Sequence, residues 1–363
     1  MDSKGRLVVY LTIFVFLLNF ITNSRFQRFS LSKPIIFWGV WIIYSAINLI
    51  ITGYNGDLPF LWYLVLRLFT PFTVMLIVSV ELYYAPKKIL YVLLSTFIIY
   101  GLFILILVDN YSGFSGEQNV GAFGNMGPLN IMFIIFYSGL LFAHKWLKQQ
   151  NLFFCILFAF LIIVLSATRK AFGAAVIMLT FIILSQIKLS PKKLVQVAVL
   201  SLITIWSINF ALNNTTMGKR FTTIEESGME YNTTDNETLN LLGDRAYFYI
   251  KGWSIFLEKP IAGIGLNNFP KIAESSYRIH SEYIVQITEG GIIGSSLFLF
   301  FYLWISLNLY NSWRKNKNNR SIILVLIGGF VAIIFINITA WTYEFSHYFA
   351  CFGIIIGYLK KMK

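Results

Sequence analysis

Around residue 280 the chain gathers the groups that proton transfer and anion binding need. The stretch "RIHSEYIVQITEGG" carries Arg278, His280, Glu282 and Glu289 immediately ahead of a long apolar run. An imidazole, with an ordinary pKa near ~6.5, can take or give a proton at neutral pH. A guanidinium offers a planar fork that fits phosphate and carboxylate oxygens. Residues 280, 283, 284 and 287 share one face at helical spacing, so the sequence predicts that His280 opens that face at a helix mouth. Glu282 and Glu289 are candidates for holding His280 or a hydroxyl, and acids at a helix start account for them equally well.

Further cations stand in unusual places. In "LGDRAYFYIKGWSIFLEKP", Arg245 falls in the first turn of a predicted helix, where exposed amides and a guanidinium together hold an anion. A pair with Asp244 or a lipid headgroup explains it as well. In "LSATRKAFGA", Arg169 and Lys170 occupy a tight connection between two apolar runs, as ligand-binding cations or as snorkelling side chains. Arg67, inside "LWYLVLRLFTPF", is an ionisable group at membrane depth, which carries a cost of ~2.5–3.5 kcal/mol on insertion scales and marks a polar cavity. Glu344 and His347 in "WTYEFSHYFACFG" are lesser candidates for the same lining.

The elements that hold these residues follow from composition. Of 363 residues 57% are hydrophobic and only 12% charged, well below the ~25% charged residues of soluble domains. Apolar runs long enough to cross a bilayer recur, and in lipid a chain must satisfy its backbone internally. The sequence predicts an all-α integral membrane protein, a polytopic bundle of about eleven spans, ten to twelve allowing for end effects. They fall near 7–22, 35–52, 58–80, 89–108, 128–143, 151–167, 171–187, 194–212, 288–309, 321–340 and 344–359. The first run lacks a small-residue cleavage site and reads as a mature helix.

Alternate connections hold 17 of the 29 basic residues, with Glu81 as their only acid, and this places them in the cytoplasm. The eleven-span count then leaves Lys4 and Arg6 outside, against the rule. The net charge of +13 is mostly membrane-flanking, so nothing calls for a nucleic-acid partner. Cys155 and Cys351 have neither metal-ligand nor disulfide spacing. One connection, of roughly 75 residues, is far longer than the rest, carries ten of the sixteen acids over 213–289 and is expected to face outward. Its first part is polar and turn-rich. Its second part predicts an amphipathic helix at the membrane surface, with Tyr249, Trp253 and Phe256 repeating, and ends at Pro260. The expected organisation is N-terminal spans over 1–120, a core of spans over 121–212, the large loop over 213–287 and C-terminal spans over 288–363.

Three pieces, "SATRKAFGA", "DRAYFYIKGWSIFLEKPIAGIGLNNF" and "HSEYIVQITEGGIIGSSLFLF", with "GAFGN" earlier, resemble in order and spacing the O-antigen ligase and polymerase family of polytopic membrane glycosyltransferases. The resemblance implies a GT-C-like bundle with one large, partly helical extracytoplasmic loop in the bacterial cytoplasmic membrane. It implies that Arg169 and Arg245 grip the pyrophosphate of an undecaprenyl-linked oligosaccharide donor and that His280 is catalytic. Lys170, Arg278, Glu282, Glu289 and Arg67 are supporting candidates. It further implies an inverting, metal-independent transfer with no cofactor. The partners it implies are a glycan or glycolipid acceptor, the lipid bilayer and other polysaccharide-assembly proteins. Ser281 and Thr168 stand where the family commonly has Asn and Ser, which leaves acceptor preference open. Polymerisation of repeat units and ligation to a terminal acceptor such as lipid A core share this chemistry. A flippase for the same lipid-linked saccharide would also join arginines to a bundle, but the chain shows no internal repeat.

Overall fold

The computed structural model describes residues 14, 18, 20, 22–52, 58–107, 127–165, 168–186, 244–273 and 278–362. Among them every regular element is helical. In chain order these are α1 (Ser24–Arg28), α2 (Lys33–Ile51), α3 (Leu58–Tyr84), α4 (Pro86–Leu107), α5 (Gly127–Ala143), α6 (Gln149–Leu165) and α7 (Arg169–Gln186). There follow α8 (Asp244–Glu258), α9 (Phe269–Ile272), α10 (Glu282–Lys315), α11 (Arg320–Asn337) and α12 (Ser346–Lys361). Five described helices are long and apolar enough to cross a membrane, and α5, α6 and α7 are shorter apolar helices. The chain is a multi-pass membrane protein. The expected span 194–212, most of 7–22, the "GAFGN" loop and the polar part of the large connection lie outside the described residues.

The helices form two compact units, each discontinuous in sequence. One takes residues 1–86, 244–312 and 337–363, and the other takes 87–243 and 313–336. In the second unit α5 is the centre. Ile131 through Tyr137, Leu140 and Leu141 are all buried, as a helix apolar on every face must be when neighbours surround it. The outer helices α4 and α6 carry their bare apolar residues in stripes, Val92, Ile99, Leu102 and Phe103 on one and Phe153, Phe154, Leu157 and Leu161 on the other. At spacings of three, four and seven these lie along single faces, the surface that lipid solvates.

In the first unit α12 lies close along α3. Gly353 and Gly357 face α3 where a methyl group would meet Met75 and Ser79 carbonyls, and the Ser79 hydroxyl donates to the Gly353 carbonyl at 3.2 Å. An aromatic core joins α2, α10 and α12. Trp38 stacks on Trp41 with ring centroids 4.5 Å apart, and it meets Phe301 at 4.9 Å and Phe349 at 4.8 Å.

The apolar pattern predicts a span starting at 288, but α10 begins at Glu282 and breaks at Gly291, whose φ of 62° and ψ of −164° are non-helical. Such a break frees two amides and two carbonyls, and the turn after α8 takes all four. Ile292 and Ile293 N–H donate to the Pro260 and Ile261 carbonyls at 2.8 and 3.2 Å, while Ile264 and Gly265 N–H donate to the Thr288 and Glu289 carbonyls at 3.2 and 2.8 Å. These bonds give partners to backbone groups that the break takes out of the helical ladder, as burial requires. The "PIAGIG" turn is therefore the clamp on the kink.

A polar stripe on α2 completes the clamp. Tyr44 donates to the Ala262 and Gly290 carbonyls at 3.1 and 2.8 Å. Asn48 donates to the Ala262 and Glu289 carbonyls at 2.7 and 3.3 Å. One turn earlier, Trp41 donates to Gln286 Oε1 at 3.0 Å.

Candidate functional site

His280 lies at a bend two residues ahead of α10, half-buried. The Ser281 carbonyl accepts the first helical bond, from Val285 N–H at 3.0 Å. His280 therefore precedes the helix and does not sit on its 283/284/287 face as periodicity suggests. Its ring meets the indole of Trp341 with centroids 5.2 Å apart and planes 34° apart. The Tyr249 hydroxyl of α8 stands 3.5 Å from the carbonyls of both His280 and Ile338, at the outer limit of a hydrogen bond.

Two residues before the histidine, Arg278 turns to Glu344. Its Nη1 is 3.2 Å from Glu344 Oε1. Arg67, from the middle of α3, reaches the same carboxylate, Nη2 to Oε2 at 2.8 Å. The Glu344 side chain is 2% exposed, while Arg67 and Arg278 are 25% and 34% exposed. A buried carboxylate thus holds two guanidiniums that remain open on their other sides. The costly charge noticed at residue 67 is explained by this pair. The Arg278 guanidinium also lies 5.9 Å from the centre of the Trp341 ring. Burial alone would pull its pKa down, but the Glu344 carboxylate, with Tyr343 and Glu289 behind it, raises Arg278 above its ordinary value and keeps it charged.

Glu282 and Glu289 are both buried, and their oxygens bind main chain. Glu282 accepts from the amides of Thr342 and Tyr343, the latter at 3.2 Å, and from Gln286 Nε2 at 2.8 Å. Glu289 accepts from Asn267 and Phe269 N–H at 3.0 and 3.3 Å, which fixes the start of α9. Hydrogen-bonded burial of this kind ties segments distant in sequence together.

Helix α8 starts at Asp244 and ends before Pro260, as its sequence signals predict. Its buried side is Phe248, Gly252 and Ile255, and of the repeating Tyr249, Trp253 and Phe256 the indole of Trp253 is half-exposed. Arg245 occupies its first turn and Arg169 is the first residue of α7, each at a helix N-terminus. The side chains of both lie outside the described residues. Lys170 follows Arg169 and is partly buried. His347, in the first turn of α12, packs its ring against Tyr348 at 4.2 Å.

Sequence reading singles out Glu344 but not its role, and it misses Trp341 and the α2 stripe. Trp41, Tyr44 and Asn48 recur at three and four residues in an otherwise apolar span, a visible signal. The carbonyls they serve are main chain and leave no mark in sequence.

Residues 154–299 match the family model described as O-antigen ligase. No curated protein matches the chain. The matched region takes in Arg169, Lys170, Arg245, Arg278, His280, Glu282 and Glu289, while Arg67, Trp341 and Glu344 lie outside it. By this match the region that carries His280 is similar to the O-antigen ligase family, whose members are glycosyltransferase-like enzymes of polysaccharide biosynthesis.

Proposed function

We propose that the protein moves a glycan from undecaprenyl pyrophosphate to a sugar hydroxyl on the extracytoplasmic side of the bacterial cytoplasmic membrane, elongating repeat units of a surface polysaccharide. The observation that carries the reading is that His280, within the family-matched region, stands at the mouth of a span with its ring against Trp341, the indole that Arg278 also meets. In the reaction the acceptor oxygen forms a bond to the anomeric carbon as the bond to the pyrophosphate oxygen breaks. The pyrophosphate keeps the bonding electrons and His280 takes the hydroxyl proton. General-base assistance of this kind contributes about 10²–10⁴-fold. Attack opposite the leaving group inverts the anomeric centre.

Arg245 and Arg169 are the residues the family resemblance assigns to the pyrophosphate. Each lies in the first turn of a helix, where amides and dipole favour an anion. A guanidinium next to the pyrophosphate stabilises the charge that develops on it, as a divalent ion does elsewhere.

The test is complementation of a deletion strain with His280→Ala, Arg245→Ala and Arg169→Ala chains. Loss of polymer with accumulation of lipid-linked units in each is expected, and normal polymer in all three refutes the reading. A gel of surface glycan from the deletion strain separates the two acceptors. Single-repeat bands mark a polymerase, and loss of all attached glycan marks a ligase. Product formation by purified protein in detergent separates either enzyme from a flippase.

A further inference from the structure

Residues 278–282 are fastened, one after another, to the segment 337–344 between α11 and α12. Arg278 pairs with Glu344, the His280 ring packs on Trp341, Ser281 Oγ stands 3.5 Å from the Asn337 carbonyl, and Glu282 receives the Thr342 and Tyr343 amides. The second segment is itself braced. Thr342 Oγ1 donates to Asn337 Oδ1 at 2.7 Å, and Asn337 Nδ2 donates to the Tyr302 hydroxyl at 2.8 Å. This bracing segment lies beyond the region that matches the family model.

We propose that the 337–344 segment is part of the transfer site and that Glu344 and Trp341 are positioning residues, acting on the reaction through Arg278 and His280. The inference rests on the functional reading above. A half-buried imidazole at a bend has no helix to orient it. The Trp341 indole gives it a wall, and the Arg278–Glu344 pair anchors the chain two residues earlier as Glu282 anchors it two residues later. Glu344 has a second effect. A guanidinium has five N–H donors, and Arg67 and Arg278 each meet the carboxylate through one nitrogen. The one carboxylate thus holds both guanidiniums, each partly exposed, at one edge of the site.

The experiment uses the purified full chain in detergent with an undecaprenyl pyrophosphate-linked oligosaccharide, His280→Ala serving as the reference. Glu344→Gln keeps the shape and removes the charge. Its kcat is expected to fall about 10²-fold, the scale of a small misplacement of a reacting group. Because Glu344 acts through Arg278, Arg278→Ala combined with Glu344→Gln should be no slower than the worse single variant. Effects that multiply, or a Glu344→Gln chain within twofold of wild type while His280→Ala is dead, overturn the proposal. Should Glu344→Gln fail to fold, the Arg67→Ala, Arg278→Ala, Glu344→Ala triple variant leaves no buried charge unpaired, and activity retained there overturns it equally. Reaction of His280 with diethyl pyrocarbonate, followed by mass spectrometry, needs no turnover. Trp341→Ala should speed it several-fold, and an unchanged rate overturns the proposal. A His280→Ala chain as active as wild type instead refutes the functional reading, and the modification rate still decides whether Trp341 holds the ring.

Discussion

Gly263 and Gly291, far apart in sequence, meet backbone to backbone: a methyl group built on Gly291 would stand 2.5 Å from the Gly263 nitrogen and the Ile261 carbonyl oxygen. Both have positive φ, 69° and 62°, a region that disfavours other residues. Gly291→Ala and Gly263→Ala should each lose folded protein, with strain of about 1–3 kcal/mol added to the clash. The neighbouring Gly290 has ordinary φ and 3.7 Å of clearance, so Gly290→Ala should be tolerated. Thermal unfolding in detergent checks the pair, and equal effects at 290 and 291 would refute the clamp.

The stripe on α2 predicts a second stability effect. Asn48→Leu removes one of the two donors to each of the Ala262 and Glu289 carbonyls, which keep Tyr44 O–H and Gly265 N–H, at about 0.5–1.5 kcal/mol per lost bond. A lower Tm is expected, with activity falling because His280 is carried on the same helix start. Ile47→Ala, on the exposed face of α2, should leave Tm nearly unchanged.

Ion pairs in this chain should differ in worth according to burial. Arg25 and Glu81 meet at 3.2 Å with side chains 48% and 25% exposed, and such a pair contributes about 0–1 kcal/mol. Arg25→Ala should therefore unfold within a degree or two of wild type. Removing both arginines from Glu344 strands a buried carboxylate, a loss of about 3–5 kcal/mol. An Arg67→Ala, Arg278→Ala chain as stable as Arg25→Ala would show that Glu344 reaches water.

How far the sequence discloses this molecule can be read from three residues. Arg67 is conspicuous as a charge in an apolar run, yet its partner lies in another helix connection and no local pattern points to it. Gly291 follows Glu289 and Gly290 at the start of the apolar run, where the pattern marks the beginning of a span, so the break in α10 is not legible until the "PIAGIG" turn is seen to supply its hydrogen bonds. His280 is legible as a chemical group, and its helix is legible too. The position of the ring ahead of that helix depends on Ser281 taking the cap, which periodicity does not report. Apolar length reveals spans well, because lipid leaves the backbone no alternative to helix. Polar contacts between spans follow tertiary approach, which has no such local rule.

The two buried acids separate a catalytic role from a positioning one. Glu289 uses its oxygens as acceptors for the Asn267 and Phe269 amides. In Glu289→Gln the amide oxygen keeps one of the two bonds, since Asn267 and Phe269 meet different carboxylate oxygens, so activity and Tm should fall less than in Glu289→Ala. Glu289→Ala leaves both donors empty and should lower Tm together with activity. A proton-transfer role predicts the opposite order, with Gln as inert as Ala and Tm unchanged in both.

Helix α8 makes the last prediction. Tyr247, Ile250, Trp253, Leu257 and, beyond its end, Ile261 are all exposed, between 39% and 67%. They lie within one side of the helix, opposite the buried Phe248, Gly252 and Ile255. An apolar face of that length suits the boundary between headgroups and acyl chains. In a chain with Cys155 and Cys351 replaced by alanine, nitroxide labels at Ile250→Cys and Leu257→Cys should relax faster with oxygen than with a water-soluble nickel chelate. A label at Glu258→Cys, on the polar flank, should show the reverse. Equal access of the chelate to all three positions would place the stripe in water, and the amphipathic reading of α8 would then be wrong.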